Sequence, residues 1–141
     1  MAAPRRLARE AVLLSLYEMD VAAHDPREAL DRLIQERRLR GELPDFARLL
    51  LVGILEKRGE IDEIIERTAP AWPTEQLSPV DRNILRIAIR EFLVDNLTPV
   101  GAAINEAVEM AKKFGSESSG KFINGVLGTL APDKAVVQEG E

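Results

Sequence analysis

Apolar residues recur at intervals of three and four along most of the chain. Two clear runs are Ile84, Ile87, Ala88, Phe92 and Ile104, Ala107, Val108, Ala111. Residues at this spacing lie on one face of an α-helix, so the pattern predicts amphipathic helices packed around a core. No stretch alternates apolar and polar residues as a half-buried strand does. The pattern therefore predicts an all-α protein.

Four prolines mark the predicted helix starts, in the pairs Asp25-Pro26, Leu43-Pro44, Ser78-Pro79 and Thr98-Pro99. Proline at the first helical position loses no hydrogen bond, and the Asp, Ser and Thr side chains can cap free N–H groups. Together these signals predict about seven helices, near residues 4–21, 26–39, 44–57, 60–68, 79–96, 99–114 and 117–130.

Residues 68–74 divide the predicted helices into two groups, because Pro70 and Pro73 prevent a continuous helix there. We predict two packed sub-bundles, at about 4–70 and 75–131, within a single domain of residues 1–131. Each sub-bundle alone would have a very small core. Residues 132–141 lack the apolar spacing and are predicted to form a flexible acidic tail.

The composition excludes most catalytic and metal-binding templates. The 141 residues include no Cys and a single His, His24, which excludes thiolate zinc sites, thiol nucleophiles and paired-histidine zinc helices. The acidic run Glu60, Asp62, Glu63 and Glu66 is interpreted as a solvated helix face. These counts exclude most hydrolase templates, and we predict no metal and no cofactor.

Residues 115–121, Gly-Ser-Glu-Ser-Ser-Gly-Lys, match the first part of a phosphate-binding loop. Phe122 stands where such loops carry a Ser or Thr for magnesium, and a predicted helix precedes the segment instead of a strand. The segment is therefore interpreted as a turn between helices, in which Gly115 supplies the turn and Ser116 caps the next helix.

The amino-terminal segment has arginines and an apolar stretch, as a signal peptide does. Glu10, Glu18 and Asp20 flank that stretch, however, whereas an export signal needs an uncharged core. The other long apolar run, residues 49–55, is far below the ~20 residues that cross a bilayer. The sequence predicts a cytoplasmic protein without a membrane span.

The net charge is −5, so nucleic-acid binding would need a local cationic cluster. Arg5, Arg6 and Arg9 occupy the first turns of the first helix, where the helix dipole favours anions. Three cations at this end oppose the stability of the helix. Either solvent and salt screen this unfavourable interaction at an exposed chain start, or the arginines form an anion site. Because Leu7 and Leu14 take another face, we expect the three arginines to point to solvent, which suits a phosphate backbone.

Two further groups of cations have different interpretations. Lys121 beside Phe122 pairs a charge with a ring on which an RNA base could stack, for ~1–3 kcal/mol per base; the alternative is that Phe122 belongs to the core. The trio Arg37, Arg38 and Arg40 is interpreted as the solvated end of the second helix and is given no binding role.

Several stretches resemble the NusB family of bacterial transcription antitermination factors. They are residues 5–17 (RRLAREAVLLSLY), 80–88 (VDRNILRIA), 103–115 (AINEAVEMAKKFG) and 121–127 (KFINGVL). The match keeps its order and spacing to about residue 130. It implies an all-helical fold of two packed bundles and a non-enzymatic role.

The resemblance also implies partners. Such proteins act with NusE, a small-subunit ribosomal protein, and bind the boxA element of nascent RNA. The assembly modifies RNA polymerase so that it reads through terminators, notably in ribosomal RNA operons. A homodimer of the free protein is an open alternative to a monomer.

The resemblance assigns roles to individual residues. It implies RNA contacts at Arg5, Arg6, Arg9, Lys121 and Phe122, with Arg86 as a weaker candidate. It implies positions facing NusE at Tyr17 and Asp81, although Asp81 could instead cap its own helix. Ser118 stands where relatives can carry an acid, and we expect this loss of charge beside Lys121 to raise RNA affinity.

Two other functions remain open. A helical adaptor that binds only protein would share every core feature and differ only at the arginines. A stand-alone relative of the NusB-like domain of ribosomal RNA methyltransferases is disfavoured as an enzyme, because the chain has no room for a methyl-donor fold.

Overall fold

The computed structural model describes residues 4–69, 77–96 and 98–139, the last eight of these by backbone alone. Within these ranges it contains no strand and seven α-helices: α1 Arg5–Ala22, α2 Pro26–Glu36, α3 Leu43–Glu56, α4 Arg58–Thr68, α5 Pro79–Ile89, α6 Val100–Phe114 and α7 Ser119–Glu139. The predicted all-α class is confirmed. None of these helices is both long enough and apolar enough to cross a membrane.

The helices form two compact units, Met1–Glu56 and Lys57–Glu141. The division falls between α3 and α4, and not at residues 68–74 as the prolines suggested. Helix α4 packs against α5 and α7 of the second unit, and Ile61 and Ile65 on its inner face are fully buried. Prolines mark where helices stop, but apolar side chains decide which helices share a core. Most of the expected boundary, residues 70–76, lies outside the described residues.

In the first unit, α1 packs against α2 and α3. Their shared core is aliphatic and includes Leu13, Leu16, Leu30, Leu51 and Ile54. Helix α2 begins as predicted, because Asp25 Oδ1 accepts a hydrogen bond from the Arg27 N–H at 2.9 Å.

Polar contacts join the end of α1 to α2. The Glu18 carboxylate lies 3.0 Å from His24 Nδ1 and also accepts a hydrogen bond from Arg32. These hydrogen bonds, from His24 first and then from Arg32, hold the pKa of Glu18 below its usual value. The contact therefore stabilises the fold at pH values above the ordinary Glu pKa. This contribution to stability is lost as the pH falls through the lowered pKa of Glu18.

In the second unit, α5 packs against α4, α6 and α7, and α6 packs along α7. Ser78 caps α5 as predicted, with its Oγ accepting from the Asp81 N–H at 3.1 Å. The predicted cap by Thr98 is wrong. Helix α6 starts at Val100 without a side-chain cap, because the Thr98 hydroxyl donates to Glu91 Oε1 at 3.0 Å instead.

Helix α5 continues into a π-helical segment, Arg90–Val94. The Asp95 N–H closes its wider turn by donating to the Arg90 carbonyl at 2.9 Å, and the two side chains form an ion pair at 2.8 Å. Phe92 within the segment is fully buried. The single helix predicted over 79–96 is thus an α-helix followed by a wider turn.

Helix α7 extends further than predicted. Its backbone is helical to Glu139, whereas the sequence predicted an end near residue 130 and a flexible tail over 132–141. Pro132 interrupts the apolar pattern, but residues 133–139 contain no glycine or second proline to stop a helix. Residues 140 and 141 lie outside the described part of the chain.

Candidate nucleic-acid interface

The first turns of α1 carry the α1 arginine cluster, defined as Arg5, Arg6 and Arg9. Arg5 Nε donates to Glu42 Oε1 at 3.2 Å. The Cζ atoms of Arg5 and Arg9 lie 4.5 and 5.5 Å from the centre of the Phe46 ring. An aromatic face attracts cations, so Phe46 of α3 holds two guanidinium groups beside each other.

The expected orientation of α1 is only partly correct. Arg5 and Arg6 are exposed, as expected, but Arg9 is only 8% exposed and Leu7 is 41% exposed. The side chain of Arg9 packs over Phe46 of α3 and is covered, whereas the helical spacing predicts that it points to solvent. Long arginine stems cover apolar surface in this way.

The ion pair between Arg5 and Glu42 leaves about half of each side chain exposed, 49% and 53% respectively. Ion pairs with this exposure contribute about 0–1 kcal/mol to folding stability. A phosphate, which accepts from arginine in the same bidentate geometry, can therefore replace the Glu42 carboxylate at small cost. The pair leaves Arg5 available to an anionic ligand.

Arg86 does not lie on the surface. Its residue is 6% exposed, and its Nε and Nη2 donate to the two carboxylate oxygens of Asp62, both at 2.9 Å. Nη1 donates to Asn83 Oδ1 at 2.9 Å. The structure thus contradicts an RNA contact by Arg86, and it makes Asp62 a partner in a packed ion pair where we had predicted a solvated acid.

Lys121 and Phe122 lie in the first turn of α7. Lys121 is exposed and Phe122 is half-buried, so the ring packs on one side and presents the rest of its surface to solvent. A shallow groove of about 400 Å³ runs beside them, lined by Val108, Lys112, Ser116, Glu117, Gly120, Lys121 and Asn124. Two lysines at this groove give it a cationic rim.

The turn before α7 is held by hydroxyl groups. Ser119 is buried, and its Oγ accepts from the Ser116 N–H at 2.9 Å. Ser116 Oγ lies 3.1 Å from Ser119 Oγ and 3.3 Å from the exposed Ser118 Oγ. The segment is a turn between helices, as predicted, but Ser119 makes the key contact that we had assigned to Ser116.

Gly115 is required by the close approach of Ser119. A methyl group at position 115 would lie 2.5 Å from Ser119 Oγ and 2.8 Å from the Ala111 carbonyl oxygen. We expect Gly115→Ala to lower the free energy of unfolding by about 1–3 kcal/mol through overpacking, measured by urea denaturation. The matched control is Gly125→Ala in α7, where nothing lies within 4 Å and a gain of about 0.5–1 kcal/mol is expected. Equal effects of the two variants would contradict the steric explanation.

The two residues expected to face NusE differ in their surroundings. Tyr17 is exposed, and Val21, one turn further along α1, is 54% exposed. Asp81 is half-buried, and its Oδ1 has no hydrogen-bond partner among the described residues. Its backbone N–H, and not its carboxylate, makes the cap contact with Ser78. Oδ1 is itself buried, so another molecule would reach it only after the side chain turned outward.

The helical spacing missed Phe46, Glu42 and Glu10 as partners of the arginines at the candidate interface. Phe46 lies under two arginines, and Glu42 pairs with Arg5. Glu10 accepts from Arg37 Nη1 at 3.0 Å. These partners are 27 to 41 residues apart in the sequence, so no local pattern relates them. Among the residues whose side chains are described, no cluster of three His, Asp or Glu could hold a metal ion.

Comparison with known proteins gives consistent matches over most of the chain. The model of the NusB family matches residues 6–132. The transcription antitermination protein NusB of Dehalococcoides mccartyi is 47% identical over 131 residues, covering 93% of this chain and 92% of that protein.

Solved structures agree. T. maritima NusB superposes with a TM-score of 0.86 at 37% identity, over 94% of this chain and 93% of the other. A chain in the crystal structure of antitermination factors NusB and NusE in complex with dsRNA gives a TM-score of 0.80 at 30% identity, over 88% and 92%.

Proposed function

This chain belongs to the NusB family, and on that basis we propose that it is a transcription antitermination factor that binds boxA RNA of nascent transcripts together with NusE. In this proposal the complex acts on RNA polymerase so that it reads through terminators, notably in ribosomal RNA operons. The protein acts by binding and not by catalysis. Because bacterial transcription takes place in the cytoplasm, the proposed function places the protein there.

The observation that carries the proposal is the α1 arginine cluster on Phe46. Its arginines stand at the start of a helix in a protein of net charge −5, where they gain nothing from the helix dipole. Two of them share one aromatic ring, which preorganises their charges. A phosphate backbone is the ligand that such an arrangement binds best.

We assign direct phosphate contacts to Arg5 and Arg6, and a supporting contact to the more buried Arg9. Lys121 supplies charge and Phe122 a stacking face at the start of α7. Tyr17 and the half-buried Asp81 are proposed to meet NusE, where a phenol and a carboxylate suit the polar rim of an interface. Arg86 is left out because its guanidinium group is already engaged.

The test is a titration with a short boxA-like RNA, with and without NusE. We expect RNA binding by the protein alone, tighter binding when NusE is present, and weaker binding of a scrambled RNA. A protein that bound NusE but retained no RNA under either condition would instead be a protein-only adaptor, and the proposal would be wrong.

Phe122→Ala tests the stacking face. We expect it to weaken RNA binding by ~1–3 kcal/mol, the value of one stacked base, beyond any loss of folding stability. Phe122→Tyr, which keeps a ring, is the matched control and should bind nearly as the wild type does. If the Ala variant instead unfolds at a much lower temperature and its folded fraction binds RNA normally, Phe122 is a core residue.

A further inference from the structure

The loop between α2 and α3, residues 37–42, meets α1 at both ends and is anchored there by the more buried of the two contacts. At one end Arg37 Nη1 donates to Glu10 Oε1 at 3.0 Å, and Glu10 is 2% exposed. At the other end Glu42 accepts from Arg5. The loop is therefore held beside the turns of α1 that carry Arg5 and Arg9.

Arg38 and Arg40 lie between these two contacts, and both are exposed. Within the described ranges, neither guanidinium group has a carboxylate at ion-pair distance, and the only acid of the loop, Glu42, is engaged by Arg5. Two uncompensated positive charges thus adjoin the α1 arginine cluster.

The backbone of the loop is ordered by its own contacts. Leu39 is buried, and its N–H donates to the Ile34 carbonyl at 3.0 Å. Arg38 has a φ of +55°, which is uncommon for a residue with a side chain. Here it belongs to the usual termination of a helix, since a left-handed residue after the last turn directs the next N–H back onto a helix carbonyl. Arg38 and Arg40 are therefore presented on either side of a fixed leucine.

We propose that Arg38 and Arg40 are additional phosphate contacts for the same single-stranded RNA, so that the binding surface extends from α1 onto the α2–α3 loop. This rests on the proposed function. Arginine presents donors in a fork that matches phosphate oxygens, and the adjoining α1 arginine cluster allows one strand to cross both elements. Both arginines are exposed and follow the end of α2 at Glu36, as the sequence predicts, and we add a binding role that their position in the sequence did not indicate.

The test is the double variant Arg38→Gln/Arg40→Gln, titrated with a short boxA-like RNA over a range of salt concentrations. We expect roughly tenfold weaker binding at low salt and a plot of log K against log salt that is flatter by about one unit per lost contact. Because phosphate contacts carry no base information, boxA-like and scrambled RNA should lose affinity equally.

Two control variants distinguish the loss of a phosphate contact from the loss of net positive charge. Arg27→Gln/Arg67→Gln removes the same charge from exposed positions in the two units and should leave the slope unchanged, whereas Arg38→Lys/Arg40→Lys should keep most of the slope. If the first double variant behaves like the Arg27 and Arg67 control while replacement of Arg5 and Arg6 still weakens binding, the loop proposal is wrong and the proposed function stands. If wild-type protein retains no RNA, the proposed function itself fails.

Discussion

Replacement of Arg5, Arg6 and Arg9 together by Ala is expected to weaken RNA binding at low salt by roughly tenfold or more, and to flatten its salt dependence by about one unit per lost phosphate contact. The physical reason is counterion release: each phosphate neutralised by an arginine releases ions into solution. Binding measured at several salt concentrations gives the slope directly.

The structure separates the three arginines in this experiment. Arg5→Ala/Arg6→Ala should account for most of the change in slope and leave the stability nearly unchanged, because both side chains are exposed. Arg9→Ala should change the slope less and lower the free energy of unfolding by about 1 kcal/mol, because it removes the arginine stem from Phe46.

Glu42→Gln provides a complementary variant, since it removes the carboxylate that competes for Arg5. We expect it to strengthen RNA binding. An unchanged salt slope in the triple variant, with tighter binding absent in Glu42→Gln, would refute the assignment of this surface to RNA.

Asp62→Ala is expected to lower the free energy of unfolding by about 3 kcal/mol. The substitution leaves the buried guanidinium group of Arg86 with a neutral hydrogen-bond acceptor, Asn83 Oδ1, but without its bidentate carboxylate. A buried positive charge that loses its carboxylate keeps most of its desolvation cost and loses the opposite charge that offset it. Chemical denaturation of purified protein measures the change.

Two variants complete this test. Glu63→Ala, one residue along the same helix and exposed, should change the stability by no more than about 0.5 kcal/mol. The double variant Asp62→Ala/Arg86→Met should regain much of the loss, because it removes both charges, and should bind RNA as the wild type does. Weak RNA binding by a stable double variant would restore Arg86 as a contact.

The fold class follows from the sequence because it depends on local spacing. The three- and four-residue apolar periods and the caps at Asp25 and Ser78 are properties of neighbouring residues, and the structure confirms them. Thr98 shows the limit of this reasoning. Its hydroxyl has two possible partners, the helix start and the Glu91 carboxylate, and only the folded chain brings the second within 3.0 Å.

The candidate site depends on contacts that are distant in the sequence. Arg86 has the local appearance of a surface cation, and only the packing of α4 on α5 brings Asp62 to it from 24 residues away. Likewise, Phe46 determines that Arg9 is covered while Leu7 is exposed. Charge content therefore indicated which arginines to consider, whereas burial decided which of them can meet a ligand.

The π-helical turn at Arg90–Val94 has a consequence for which sequences can adopt this fold. A wider turn holds one residue more than an α-helical turn, and in an α-helix each residue corresponds to a rotation of about 100°. Because the wider turn takes up the extra residue, deleting one residue here would let an ordinary helical turn close while the side chains on either side keep nearly the same direction. A single-residue deletion in this segment should therefore be tolerated better than one within α5, where every side chain after the deletion would turn by about 100°.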